Sequence, residues 1–427
     1  MQDRLGRFAT SDRRLGRRAF LRRASTVGLV LPLVAASQWR NEFATLRGEW
    51  APDLRPEAYL SAPDFLAHYE SAFRAQGVRI GTSFAPELLG ASPSHADRDA
   101  DALAKRVLAA AVEDLGMTDV RLGLRWSNLA PDTDALNDFY EPYLDYCFAS
   151  PLVRTVSLDI GPIKTFRWPE LHVPQRVLDR LKVTPARGAT ITPDDELAQI
   201  SFEHAERTVE YLARRYGGAK PVTFSFNEPF HGYGPQRWMM SPAYLVRMVE
   251  IIRASTAFRD ACFLVNSAGG ADLDQIAAFI DLLRARYPEV RDRLTSGVSM
   301  YTFVPPYVWF RRPVLQDILA HIQQPTRNWY GEVAKNLRRA RDPERGFPIE
   351  ITEAQAEPFG PLKQAGDSLA YYQHVLSECM ERILNPAQRD TTIRMFGAEY
   401  QLARRFAGTA TEGNEAILGL TRAINHL

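Results

Sequence analysis

Val222-Thr223-Phe224-Ser225-Phe226-Asn227-Glu228-Pro229 is the stretch that decides the fold. β-Branched, aromatic and small residues run without a break into an amide, a carboxylate and a proline. Such a run reads as a strand buried on both faces. Pro229 lacks an N–H and steers Glu228 away from the right-handed helical region, so the strand ends there. Glu228 is therefore expected at the C-terminal lip of a buried strand, next to an amide that both donates and accepts hydrogen bonds. The pattern recurs at Phe347-Pro348-Ile349-Glu350-Ile351-Thr352-Glu353, where Glu353 closes a second short strand. The spacing leaves room for about three strand–helix units at ~40 residues each between the two glutamates.

Working outward, strand candidates alternate with helical patterns along most of the chain. The strands are Val78–Phe84, Asp119–Trp126, Val153–Ile160, Val222–Phe226, Cys262–Asn266, Ser296–Tyr301, Phe347–Glu353 and Thr392–Gly397. Eight such repeats predict an α/β fold, a (β/α)8 TIM barrel with extended βα loops, in which all strand C-termini open on one face. An open doubly wound sheet would want a glycine-rich phosphate turn after its first strand, and Ser83-Phe84-Ala85-Pro86 is not one. Glu350, three residues before Glu353, is expected on the other face of its strand, towards a helix. Asp64 is the expected cap of a helix running to Gln76.

The domain plan reads 1–37 as a signal peptide, 38–76 as a linker and helix, and 77–427 as the barrel. Arg17-Arg18-Ala19-Phe20-Leu21 precedes an apolar run from Val27 to Ala36 that is too short to span a membrane. That order resembles a bacterial twin-arginine signal, which implies the export machinery as a partner and a periplasmic or secreted destination. The 52 basic and 51 acidic residues nearly cancel, which gives no argument for nucleic acid or a membrane surface. Cys147, Cys262 and Cys379 are scattered, form no Cys-x-x-Cys and suggest no metal or disulfide framework.

A barrel with glutamates ending strands four and seven resembles the clan A retaining glycoside hydrolases. Arg121-Leu122-Gly123-Leu124-Arg125-Trp126-Ser127 is similar to the family 1 run Arg-Phe-Ser-Ile-Ser-Trp-Ser. Gly297-Val298-Ser299-Met300-Tyr301-Thr302 is similar to that family's Gly-x-Asn-Tyr-Tyr-Thr, and Ile351-Thr352-Glu353 to its Ile-Thr-Glu. The resemblance implies Glu228 as acid/base and Glu353 as nucleophile, acting on a carbohydrate with no metal or organic cofactor. It implies further that Asn227 meets the sugar 2-hydroxyl, that Arg121 keeps Glu353 ionised, and that Tyr301 bonds the same carboxylate. Trp126, Lys164, Trp168, His231, Tyr233 and Trp238 lie on or beyond strand ends, where sugars stack on rings and bond to polar tips. Plainer roles stay open: Arg121 pairing any strand-end carboxylate, Tyr301 in the core, the others as loop anchors. Two departures bear on substrate: Ile160-Gly161-Pro162 stands where family 1 has His-Trp, and strand eight lacks the usual Trp. A non-catalytic carbohydrate-binding barrel is the competing function, and an exported redox or metal enzyme a third, for which the sequence offers no Cys/His ligand set.

The export reading makes a direct prediction. Replacing Arg17 and Arg18 by lysine is expected to leave unprocessed precursor in the cytoplasm, scored by fractionation and immunoblot. Undiminished export of that double variant removes the twin-arginine reading.

Overall fold

The structure is a computed structural model. It describes residues 61–166, 171–232, 236–267, 273–300, 349–355, 369–380, 384 and 389–427. The signal and linker, Trp168, Tyr233, Tyr301 and the aromatic loop 302–310 lie outside the described residues.

Eight parallel strands form a closed barrel: β1 (Arg79–Phe84), β2 (Asp119–Gly123), β3 (Thr155–Asp159), β4 (Val222–Phe226), β5 (Cys262–Ser267), β6 (Leu294–Met300), β7 (Ile349–Gln355) and β8 (Thr392–Phe396). Each strand pairs with its neighbours in sequence, and β1 closes on β8 through Arg79↔Thr392 to Thr82↔Met395. The helices of more than two turns are α1 (Ala62–Gln76), α2 (Arg98–Glu113), α3 (Glu141–Ala149), α4 (Glu196–Tyr216), α5 (Pro242–Ala254), α6 (Leu273–Arg286), α7 (Leu369–Glu378), α8 (Ala398–Phe406) and α9 (Glu412–Asn425).

Alternation along the strands separates two environments. Leu122, Val156, Leu158, Phe224, Phe263, Val265, Ile351 and Ile393 point to the helices and are buried. Phe224 meets Phe258 edge to face with ring centroids 5.1 Å apart, and burial of one such side chain stabilises by roughly 1.5–3 kcal/mol. Most inward positions are polar, Leu264 beside Gly297 being an apolar exception. At the N-terminal end Arg79 Nε donates to Asp119 Oδ2 at 2.9 Å, and Thr155 donates to the same carboxylate.

Local signals place the helices. α1 starts at Ser61, whose hydroxyl accepts from Asp64 N at 3.4 Å, so the cap lies three residues before the expected Asp64. Gly77 at φ 56° ends it in the left-handed conformation that glycine adopts without a Cβ penalty. At the other end of the chain α9 begins with a Thr411–Asn414 capping box. Asn425 then accepts from Ile80 N at 2.7 Å and donates to Ile80 O at 3.0 Å and Leu115 O at 2.9 Å. The last helix is thereby pinned to the first strand.

β7 departs from the regular alternation. Val298 pairs with Ile351 but Ser299 pairs with Glu353, and on the other side Ile393 pairs with Ile351 while Met395 pairs with Ala354. Both shifts put one extra residue, Thr352, into β7, a β-bulge. As a result Glu350, Thr352 and Glu353 all face inward. Glu350 pairs with the buried Arg394, which also donates to Ser157 Oγ at 3.2 Å. The expectation that Glu350 faces a helix is corrected: period-two counting fails across a bulge. The Thr352 carbonyl released from the ladder accepts from Ser83 Oγ at 2.9 Å.

Trp126 sits at the start of the short helix Trp126–Leu129, fully buried, stacked on His204 of α4 with centroids 4.8 Å apart and planes 16° apart. Burial first, then the charges of Arg207 and Arg176, push His204 down to about 3. The unfolded chain binds this proton from about pH 6.5 downwards and the fold does not. The resulting stability is present above pH 6.5 and is lost on acidification, at ~1.4 kcal/mol per pH unit. His204→Phe, which keeps a ring against Trp126, is expected to flatten the decline between pH 6 and 4 by that slope, read from urea unfolding midpoints. An unchanged acid limb would show that His204 is protonated in the fold.

Candidate functional site

Residues of or just after β3, β4 and β7 converge on the guanidinium of Arg121 in β2. This side chain is fully buried, and four of its five N–H donors are engaged. Nε donates to Ser225 Oγ at 3.3 Å, Nη1 to Glu353 Oε1 at 3.2 Å, and Nη2 to both Asp159 Oδ2 and Asn227 Oδ1 at 2.9 Å. The Phe166 ring covers the guanidinium, 4.5 Å from Cζ to the centroid. Gly123 makes that cover feasible, because a Cβ there would lie 3.0 Å from the Phe166 ring.

Asn227 Oδ1 also accepts from Asn266 Nδ2 at 3.0 Å, and Thr352 Oγ1 donates to Asn266 Oδ1 at 2.5 Å. With its oxygen holding two donors, Asn227 has its amide orientation fixed and its NH2 directed away from Arg121. The chain Arg121–Asn227–Asn266–Thr352 thus ties β2, β4, β5 and β7 together. It connects the residue before Glu228 with the residue before Glu353.

Glu228 and Glu353 are both buried, 1% and 0% exposed. Glu228 has φ 41°, a left-handed backbone outside the extended region that the following proline favours. Lys164, from the loop after β3, is buried and its Nζ donates to Glu228 O at 2.9 Å and to His231 O. His231 is half-buried, and burial and then the Lys164 charge push it down to about 4, so it is neutral at pH 7. Trp238 is a loop anchor, its Nε1 donating to Pro185 O at 3.3 Å and Ala186 O at 3.1 Å. Trp126 is packed on His204 of α4.

Asp159 is the member that sequence reasoning missed. It ends β3 as Glu228 follows β4, at the lip of a buried strand, and Ser157-Leu158-Asp159 alternates inward, outward, inward. Those features were legible. Arg121 Nη2 and, at 3.4 Å, Gly161 N donate to it. Full burial raises its carboxyl to about 7; Arg121 opposes the shift and Glu353 adds to it. Two carboxylates on one buried guanidinium leave an excess negative charge, and a proton on Asp159 removes it.

Comparisons with known proteins address the fold. No family model matches the sequence, and neither does any curated protein. Among solved structures, the chain is similar to the full-length tri-modular endo-β-1,4-glucanase B (Cel5B) from Bacillus halodurans, at 14% identity over 83% of this chain and 61% of that one, with a TM-score of 0.50. It is similar also to ZgEngAGH5_4 in complex with a cellotriose (14%, 80% and 96%, TM-score 0.47) and to a family 5 xyloglucanase from Paenibacillus pabuli (11%, 75% and 90%, TM-score 0.42). The likeness is one of fold. Among the described residues no group of three or more His, Cys, Asp or Glu could hold a metal ion.

The raised Asp159 has a measurable consequence. Its stabilising effect as a neutral group is full below about pH 4, where the unfolded chain is protonated too, and is lost as pH rises towards 7. The stability of the native chain relative to Asp159→Asn is therefore expected to fall between pH 4.5 and 7, read from urea unfolding at each pH. A difference that stays flat over that range would show Asp159 ionised throughout.

Proposed function

We propose that this protein is a retaining glycoside hydrolase that cleaves a β-linked glycoside or oligosaccharide by double displacement. The observation that carries the reading is the Arg121 hub: one buried guanidinium holds Glu353 by Nη1 and the neighbour of Glu228 by Nη2. Two strand-end carboxylates thereby share one mouth of a barrel. Hydrolysis of a glycoside asks for that pairing, one carboxyl to protonate the leaving oxygen and one carboxylate on the opposite face of the sugar.

In this reading Glu353, charge-paired to Arg121, attacks the anomeric carbon and forms a glycosyl ester, while Glu228 gives its proton to the departing oxygen. Glu228 then takes a proton from water, which attacks the ester and releases Glu353 with net retention. Arg121 Nη1 holds Glu353 Oε1 and so fixes the carboxylate that this reading makes the nucleophile. The fixed Asn227 NH2 is the donor proposed for the sugar 2-hydroxyl. An amide fixed through its oxygen in this way supports the reading without fixing the sugar. The substrate panel to begin with is β-1,4-linked gluco- and manno-oligosaccharides with chromogenic aryl β-glycosides. The twin-arginine-like N-terminus extends the proposal to a periplasmic or secreted enzyme.

The roles separate by mutation. Glu228→Ala is expected to lose ~10²–10⁴-fold on an oligosaccharide, whose leaving group needs a proton. On an activated aryl glycoside it should stall at the ester and recover with azide, giving a glycosyl azide of retained configuration. Glu353→Ala is expected to hydrolyse no substrate and, with azide and an activated aryl glycoside, to give the inverted glycosyl azide. Anomers are assigned by NMR, and full activity of either variant, or exchanged anomers, overturns the assignment.

A further inference from the structure

The peptide of Glu228 is strained and held. A non-glycine residue at φ 41° is uncommon, and Pro229 next in sequence narrows its options further. Backbone in such regions persists only where its surroundings over-determine it. Here the surroundings are specific. The Glu228 carbonyl accepts from His231 N at 3.1 Å, which closes a four-residue turn, and Pro229 O accepts from Met240 N at 2.7 Å. The same Glu228 carbonyl also takes the Lys164 ammonium at 2.9 Å, and that ammonium reaches the His231 carbonyl too. One buried cation thus bridges the first and last carbonyls of the turn that carries Glu228.

We propose that Lys164 is a positioning residue for Glu228: its ammonium clamps the 228–231 turn so that the acid/base carboxyl is aimed at the leaving oxygen. This rests on the glycosidase reading for its catalytic meaning, and on geometry alone for the clamp. Two of the three ammonium donors go to backbone carbonyls of a single turn. A lysine that served mainly as a sugar ligand would keep its donors for the mouth of the barrel. The lysine itself is steadied from its own loop, where Lys164 bridges antiparallel to Leu171 and His172 N donates to Ile163 O at 3.1 Å. Charge matters as well as donation, since a hydrogen bond from an ammonium to a carbonyl is stronger than one from a neutral donor.

The test uses the full-length enzyme with Lys164→Met, and with Lys164→Gln, which keeps a neutral donor, against a series of aryl β-glycosides of graded leaving-group pKa. The expected result is a kcat/KM loss below threefold for the best leaving group. For the poorest, the loss should be about a hundredfold in Lys164→Met and smaller in Lys164→Gln. That slope reports aim at the leaving oxygen, which general unfolding would not produce. An equal loss on all substrates, or no loss on any, overturns the positioning role. A crystal structure of whichever variant folds is the second readout. Glu228 is expected to leave the left-handed region once the ammonium is gone, and an unchanged φ overturns the clamp. A wild-type protein inactive on every glycoside would sink the glycosidase reading alone, and the crystal structure would still decide the clamp.

Discussion

The guanidinium of Arg121 organises the top of this barrel. Burying a charge in a protein interior is costly unless it is paired and hydrogen-bonded. Arg121 meets that requirement with Glu353, Asp159, Asn227 and Ser225, and with the face of Phe166. Removing one partner from such a cluster typically costs ~3–5 kcal/mol, because a charge is left uncompensated. The same contacts set local geometry across β2, β3, β4 and β7, so the stability of the barrel mouth and the placement of the two candidate glutamates have one cause. Planarity explains why arginine occupies the position: its fork reaches two sides at once, as a single ammonium cannot.

Arg121 faces two carboxylates, and burial raises the Asp159 carboxyl to about 7, against the pull of Arg121 and with a smaller push from Glu353. Glu353 meets the same guanidinium from the other side, through Nη1. Lower in the barrel Arg79 with Asp119, and Arg394 with Glu350, form separate pairs. The interior is therefore a stack of polar layers inside an apolar shell of strand and helix side chains. Inward glycines such as Gly297, whose Cβ would come within 2.7 Å of Thr352 Cγ2, leave the space those layers need.

Two irregularities of the backbone carry the candidate chemistry. The bulge at Thr352 turns Glu353 into the barrel beside an inward Thr352. Glu228, just past the end of β4, has a left-handed backbone whose carbonyl Lys164 and His231 hold. Both are local departures from ideal strand geometry, supported from elsewhere in the chain by Ser83 in the first case and by the β3 loop in the second.

The eight strand–helix repeats and the closed parallel sheet could be read from the sequence, because strand-like runs and strand-length spacing are local signals; Glu228 follows β4 as Pro229 suggests, whereas Glu353 lies inside β7, which runs on to Gln355. Asp159 was equally legible, as a carboxylate at the lip of a buried strand. Glu350 was not. Its inward face depends on one extra residue in β7, and a bulge is fixed by pairing with β6 and β8 across the sheet. The packing of Trp126 on His204 joins residues far apart in sequence. The Lys164 clamp belongs to the same class, since a side chain from the β3 loop binds main-chain carbonyls after β4. Local sequence specifies roughly which segments form strands, but not their last residues: β2 stops at Gly123, before the expected Trp126, and β7 runs on past Glu353 to Gln355. Which donors meet which acceptors over long separations is set only when the barrel closes and brings the strand ends to one mouth.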